Sequence, residues 1–136
     1  MLNDPSEKML ERARYRLRKE KTVEYSTFFA EELDNIEGTF DHILCLNSFH
    51  YYVDQPLALT HMRNLLKPGG TLWLQDWNRS GFFTVPNKLI GWLSPEHINT
   101  RSLTELKALM NSAGFSIEQE DEWNYRWWKF LFVEGR

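Results

Sequence analysis

A single cysteine, Cys45, stands in 136 residues, so no disulfide framework can brace the fold. It lies inside the apolar run Ile43 to Leu46, where a small buried thiol is the ordinary reading. Glycine is also scarce: there are 7, and none falls in a Gly-x-Gly arrangement. Neither sign of charge prevails, since 16 Lys and Arg against 19 Asp and Glu leave a net charge of -3, and nucleic acid is not an expected partner. No apolar stretch reaches the length of a membrane span, and the N-terminus has acidic residues without a signal-peptide core, so a cytoplasmic protein is expected. His42, His50, His61 and His97 show no metal-ligand spacing, no Gly-x-Ser-x-Gly elbow occurs, and no repeat, linker or low-complexity tract interrupts the chain.

What remains is a chain of ordinary single-domain size, 42% hydrophobic and 26% charged. Its centre of organisation is Phe40 to Tyr52. Ile43 to Leu46 are apolar without alternation, which predicts a central strand covered on both faces. Asn47-Ser48-Phe49-His50-Tyr51-Tyr52 follows directly, polar and aromatic together. In open α/β sheets ligands bind at the carboxyl ends of strands, so a site is expected here.

Before that stretch, Asp4-Pro5-Ser6-Glu7 reads as a helix start, with Asp4 as cap and Glu7 completing a capping box. Met9, Leu10, Ala13 and Leu17 make one apolar stripe of a helix running to about Glu20. Its outer face holds Arg12, Arg14, Arg16, Arg18, Lys19 and Lys21, either a solvated face or a patch for an anionic partner. Thr22 to Thr27 alternates as a strand does, and Ala30 to Leu33 suggests a short turn or helix.

After it, Pro56 opens a helix with Ala58, Met62, Leu65 and Leu66 inward, stopped by Lys67-Pro68-Gly69-Gly70. Thr71 to Trp77 is the next strand. The apolar stretch from about 78 to 99, broken by Gly81, Pro86, Gly91 and Pro95, suits a lid over a pocket. Ser102-Leu103-Thr104-Glu105 is a capping box for a helix ending at Gly114, and strands are expected at about Ser116 to Glu122 and Trp127 to Glu134. This order makes parallel crossover units and a closing hairpin, a single α/β domain over residues 1–136 whose late aromatics belong to core and hairpin.

With these elements placed, the chain resembles a class I S-adenosylmethionine (SAM)-dependent methyltransferase over nearly its whole length. Asp4, Ser6, Met9, Leu10, Ala13 and Arg14 match one family pattern. Phe40-Asp41, Leu66-Lys67-Pro68-Gly69-Gly70 and Ala113-Gly114-Phe115 match three more, in the family's order and spacing. The resemblance implies a Rossmann-like, mostly parallel sheet with helices on both faces and a C-terminal antiparallel hairpin. It implies SAM as methyl donor and a small-molecule acceptor.

The resemblance also distributes roles. Asp4 matches the acid that binds the donor's ribose hydroxyls, although it could equally serve only its helix. Phe29 and Ala30 match the adenine position, where the family usually carries Asp; an aromatic can stack there but cannot accept the amino group's hydrogen bond. Asn47, Ser48 and Phe49 match the loop beside the cofactor. His50 is the candidate base, its alternative being a packed or solvent-facing histidine; Tyr51, Tyr52, Asp76, Trp77 and Trp92 are candidate acceptor contacts, with Phe82 and Phe83 closing over them, although Asp76, Trp77, Phe82, Phe83 and Trp92 could equally belong to the core.

One departure bears on the whole reading. The family's first strand and glycine-rich turn lie about 20 residues before the ribose-binding acid and in mid-sheet, whereas Asp4 has three residues before it. The expected consequence is unpaired backbone and an uncovered core. Either the sequence is an N-terminally truncated piece of a longer enzyme, the favoured expectation, or a partner chain or second copy completes the sheet, or the sheet closes up. Two functions therefore compete: a methyltransferase, or a methyltransferase-like interaction module without its donor site.

Overall fold

The computed structural model describes residues 1–79, 98–126 and 128–136. The expected lid, with Phe82, Phe83 and Trp92, lies outside the described residues except at its ends. A parallel pair of very short strands, β1 (Leu2–Asn3) and β2 (Tyr25–Ser26), flanks the first helix, α1 (Glu7–Arg16). After a 3-10 helix at Ala30–Asn35 comes β3 (Phe40–Leu46), then a 3-10 turn at Phe49–Tyr51 and α2 (Gln55–Leu65). The chain continues through β4 (Leu66–Trp77), α3 (Leu103–Ser112), β5 (Ile117–Tyr125) and β6 (Trp128–Gly135).

The second sheet has the order β3-β4-β6-β5. β3 and β4 run parallel through the α2 crossover, and β6 pairs antiparallel with both β4 and β5. This is the expected crossover unit closed by a hairpin. Cys45, Leu72, Leu74, Leu131 and Val133 share one face of the sheet and are buried with Leu59 and Met62 of α2 and Leu106 and Met110 of α3. That core fixes the carboxyl ends of β3 and β4 side by side, with Cys45 opposite Leu74 and Leu46 opposite Gln75.

Several expectations shift. Among the described residues β3 is an edge strand of its sheet and is covered on one face only: Cys45 is buried, but Leu44 is 59% and Leu46 53% exposed. An apolar run reports what a strand is suited to, not whether neighbours within these residues cover it. α1 begins after Ser6 and stops at Arg16, short of Glu20. Its capping box does not form, because the Asp4 carboxylate instead accepts the Ser6 amide at 2.8 Å. Lys67-Pro68-Gly69-Gly70 ends α2 yet lies within the long β4, Gly69 taking the left-handed φ of 79° that lets the chain turn into the sheet. The Ser102–Glu105 box forms in full, with the Ser102 amide donating to Glu105 at 2.8 Å and the Glu105 amide donating to the Ser102 hydroxyl at 3.3 Å. No helix of the described residues is long and apolar enough to cross a membrane.

Candidate active site

At the end of β3, Asn47 has a φ of 51°, a left-handed turn that Asn tolerates better than most side chains. Its amide still donates to the Gln75 carbonyl of β4 at 2.8 Å, so the turn begins while the sheet is paired. The 3-10 turn that follows drives Phe49 into the core and carries His50 across to the end of β4.

There His50 meets Asp76. The His50 amide donates to Asp76 Oδ2 at 2.7 Å, and ring Nδ1 lies 2.5 Å from Oδ1, which also accepts the Trp77 amide at 2.7 Å. His50 is 1% exposed and Asp76 4%. An ionised carboxylate only accepts, so Nδ1 carries a proton and Nε2 is left with a lone pair when the ring is neutral. Among the described residues, buried Nε2 has no hydrogen-bond partner. The ring lies against Trp77, 4.3 Å between centroids and nearly parallel, and against Tyr51 at 4.1 Å.

Gln55 and its partners, which the sequence reading missed, hold this turn. Gln55, at the start of α2, donates from Nε2 to the carbonyls of Phe49 at 2.9 Å and Asn99 at 2.8 Å, while its Oε1 accepts from Arg101 Nε at 2.7 Å. The Asn99 amide in turn donates to the His50 carbonyl at 2.7 Å. The segment before α3 is thereby tied to the site; a Gln preceding Pro56 offered no pattern from which to foresee it.

Ser48, Cys45 and Tyr52 form a second, smaller group. The Ser48 and Tyr52 oxygens are 3.2 Å apart and each lies 3.5 Å from Cys45 Sγ. Burial pushes the Cys45 thiol up to about 11 and raises the Tyr52 phenol as well, so both stay protonated and uncharged near neutrality. Tyr52 therefore faces inward, with its edge on Phe49, while Tyr51 is exposed.

Asp4 and Phe29 follow the carboxyl ends of β1 and β2. Asn3 binds the two together: its Oδ1 accepts from the Phe28 amide at 3.0 Å and the Ser26 hydroxyl at 2.9 Å, and its Nδ2 donates to the Phe28 carbonyl at 3.0 Å. Asp4 is half-buried, and its second oxygen has no partner among the described residues. Phe29 is 59% exposed; Ala30 is buried.

Of the expected site residues, the structure thus joins His50, Tyr51, Asp76 and Trp77 in one cluster and Ser48 with Tyr52 in another. It places Asp4 and Phe29 at the end of the other sheet, and puts the side chains of Phe49 and Ala30 in the core. Trp92 lies outside the described residues.

Comparison with known proteins defines the class. Residues 2–120 match the model of a methyltransferase domain, and the chain belongs to that family. It is a class I SAM-dependent methyltransferase fold. Over 86 residues, 58% of this chain, it is 35% identical to the lovastatin diketide synthase lovF of Aspergillus terreus, of which it spans only 4%. A Bacillus halodurans protein described as a methyltransferase superposes with a TM-score of 0.85 at 14% identity, over 99% of this chain and 80% of that one. The N-methyltransferase NodS of Bradyrhizobium japonicum, solved with S-adenosyl-L-homocysteine, superposes with a TM-score of 0.77 at 14% identity, over 98% and 64%.

Proposed function

We propose that this chain carries the acceptor side of a SAM-dependent methyltransferase acting on a small molecule that surrenders a proton as it is methylated. The observation that carries this reading is the His50–Asp76 pair, whose buried Nε2 is unpartnered among the described residues. SAM supplies an electrophilic methyl group on a sulfonium. Transfer is an in-line displacement: the acceptor atom forms its bond to the methyl carbon as the carbon–sulfur bond breaks, and S-adenosylhomocysteine keeps that electron pair. The acceptor's proton goes to His50 Nε2, leaving an imidazolium that the Asp76 carboxylate stabilises.

Tyr51 and Trp77 flank the imidazole and favour a flat or apolar acceptor at its edge. Asp76 acts through His50 and does not touch the acceptor. Asp4 and Phe29 hold the ribose and adenine of the donor, with Asn47 and Ser48 beside it. The matched diketide synthase directs the choice of acceptor: a diketide with two carbonyls holds between them a carbon-bound proton labile enough for an imidazole to remove. Cytoplasmic residence accords with a lone buried thiol and needs no membrane element.

The test is transfer of isotopically labelled methyl from SAM to a panel containing a β-ketoacyl thioester, a phenol and an amine. Transfer to the thioester that vanishes in His50→Gln supports the reading in full. Undiminished transfer by His50→Gln overturns the role of the base, and no transfer to any acceptor by a protein shown to bind S-adenosylhomocysteine overturns the function.

A further inference from the structure

Besides His50 Nε2, one other buried side-chain atom has no hydrogen-bond partner among the described residues, the Oδ1 of Asn78. Asn78 is 3% exposed, and a buried acceptor without a donor is costly. Its orientation is set from β5 and β6. Asn78 Nδ2 donates to Glu122 Oε1, and Glu122 Oε2 accepts from Lys129 Nζ at 3.0 Å. The hydrogen bond from the Lys129 ammonium holds the Glu122 carboxyl below its usual range, so near neutrality it is ionised and only accepts. Turning the Asn78 amide over would set two acceptors against each other. Nδ2 is therefore fixed toward Glu122, and Oδ1 away from it.

Two observations bring this oxygen to the His50 turn. The Asn78 amide donates to the Lys129 carbonyl at 2.8 Å, which carries the β4–β6 pairing one residue past Trp77. Side chains alternate along a strand, so Asn78 follows Asp76, which holds the His50 ring, on the same face. From the other side, Asn99 donates its amide to the His50 carbonyl at 2.7 Å, and Arg101 bridges Asn78. Two residues of chain span at most about 7 Å, so one short segment meets both places.

We infer that Asn78 is a specificity-determining residue of this site, its Oδ1 accepting a hydrogen bond from an N–H or O–H group that the methyl acceptor carries besides the atom methylated. The substrate class narrows to small acceptors with a second donor: one part of the molecule gives its proton to His50 Nε2, and another lies against Asn78. An acceptor that lacks the donor leaves the oxygen buried and unpaired, and a site built to hydrogen-bond its substrate rejects such an analogue. Glu122 acts through Asn78 as a positioning residue. The inference rests on the proposed reading of His50, which locates the acceptor, and adds no step to the transfer.

The test is binding without turnover, by calorimetric titration in excess S-adenosylhomocysteine. Two matched pairs are the probes: the acetoacetyl thioester of N-acetylcysteamine against its analogue with an ester in place of the amide, and 4-(2-hydroxyethyl)phenol against its aliphatic methyl ether. In at least one pair the donor-bearing member binds roughly tenfold tighter, a ratio that Asn78→Leu reduces to within about twofold and His50→Gln leaves in place. The ratio is taken within one protein, so a loss of stability common to both probes cancels. Glu122→Gln is the second variant. Lys129 only donates, so the new amide turns its oxygen to Lys129 and its NH2 to Asn78, whose own amide turns over in response. The donor preference then falls away or reverses, which a merely structural Asn78 does not produce. Equal affinities within both pairs, binding by none of the four compounds, or a preference that survives Asn78→Leu or is unchanged in Glu122→Gln overturns the inference. A preference that depends on Asn78 in a protein that transfers no methyl group keeps this role and fails the proposed reaction alone; transfer to probes of equal affinity does the reverse.

Discussion

Asp76 grips His50 at two points, taking its backbone amide at 2.7 Å and its ring Nδ1 at 2.5 Å. Because one carboxylate fixes both the main chain and the imidazole, the ring cannot turn over without breaking the turn that carries it. The tautomer is set by the same contact, and the lone pair is left on the nitrogen that has no partner among the described residues.

Asp76→Asn tests this directly. An amide in that place donates to Nδ1, so the ring's proton moves to Nε2 and the lone pair needed for proton removal is lost. We expect kcat to fall by roughly 10²-fold or more, with little change in KM. Nitrogen NMR of the His50 ring reads the tautomer without any need for turnover. A ring whose Nε2 remains unprotonated in Asp76→Asn refutes the positioning role, whatever the activity.

Much of the fold was legible because crossover helices and hairpins leave period and punctuation in a sequence. The Ser102–Glu105 box and the apolar stripe of α2 appear where those signals stand, and the two closing strands fall close to the stretches expected of them. Burial was less legible. Ile43 to Leu46 reads as a doubly covered strand, yet covering depends on elements elsewhere, and Leu44 and Leu46 are exposed. At the site, His50 and Asp76 were both recognisable as polar residues after strands. Their pairing was not, since 26 residues separate them and only the β3–β4 register brings them together.

Asp4 carries a different expectation. One of its oxygens accepts the Ser6 amide, an interaction that Asn reproduces, so Asp4→Asn leaves helix content unchanged. The hydrogen bonds offered to ribose lose their charge, and affinity for S-adenosylhomocysteine drops roughly tenfold. Calorimetric titration of a protein that binds it measures this. Equal affinity in the variant removes Asp4 from the donor site.

Gln55 is fully buried and serves three partners at once, the carbonyls of Phe49 and Asn99 and the guanidinium of Arg101. Gln55→Leu keeps the volume close but leaves those groups unsatisfied. A loss of about 2–3 kcal/mol in urea unfolding is expected, with the slope unchanged. Because the His50 turn hangs from the Phe49 carbonyl, faster amide exchange at His50 and Tyr51 should accompany it. A loss below ~0.5 kcal/mol shows that water replaces the side chain at little cost.

Cys45 makes stability depend on alkali in a sense that can be worked out. Its thiol is raised from 9.0 to about 11 by burial, so the folded state holds a proton that the unfolded chain releases. Between those values the unfolded state binds fewer protons than the native state, and stability falls as pH rises. The contribution is complete below pH 9 and is lost through about pH 11, amounting to about 3 kcal/mol. The Tyr52 phenol, also raised by burial, adds a loss of the same sign at higher pH. Cys45→Ala should flatten the first part of the decline in unfolding curves taken from pH 8 to 11 and leave the Tyr52 part in place. An unchanged slope in Cys45→Ala means that the thiol reaches solvent in the native state, and that the Ser48–Cys45–Tyr52 group is open rather than packed.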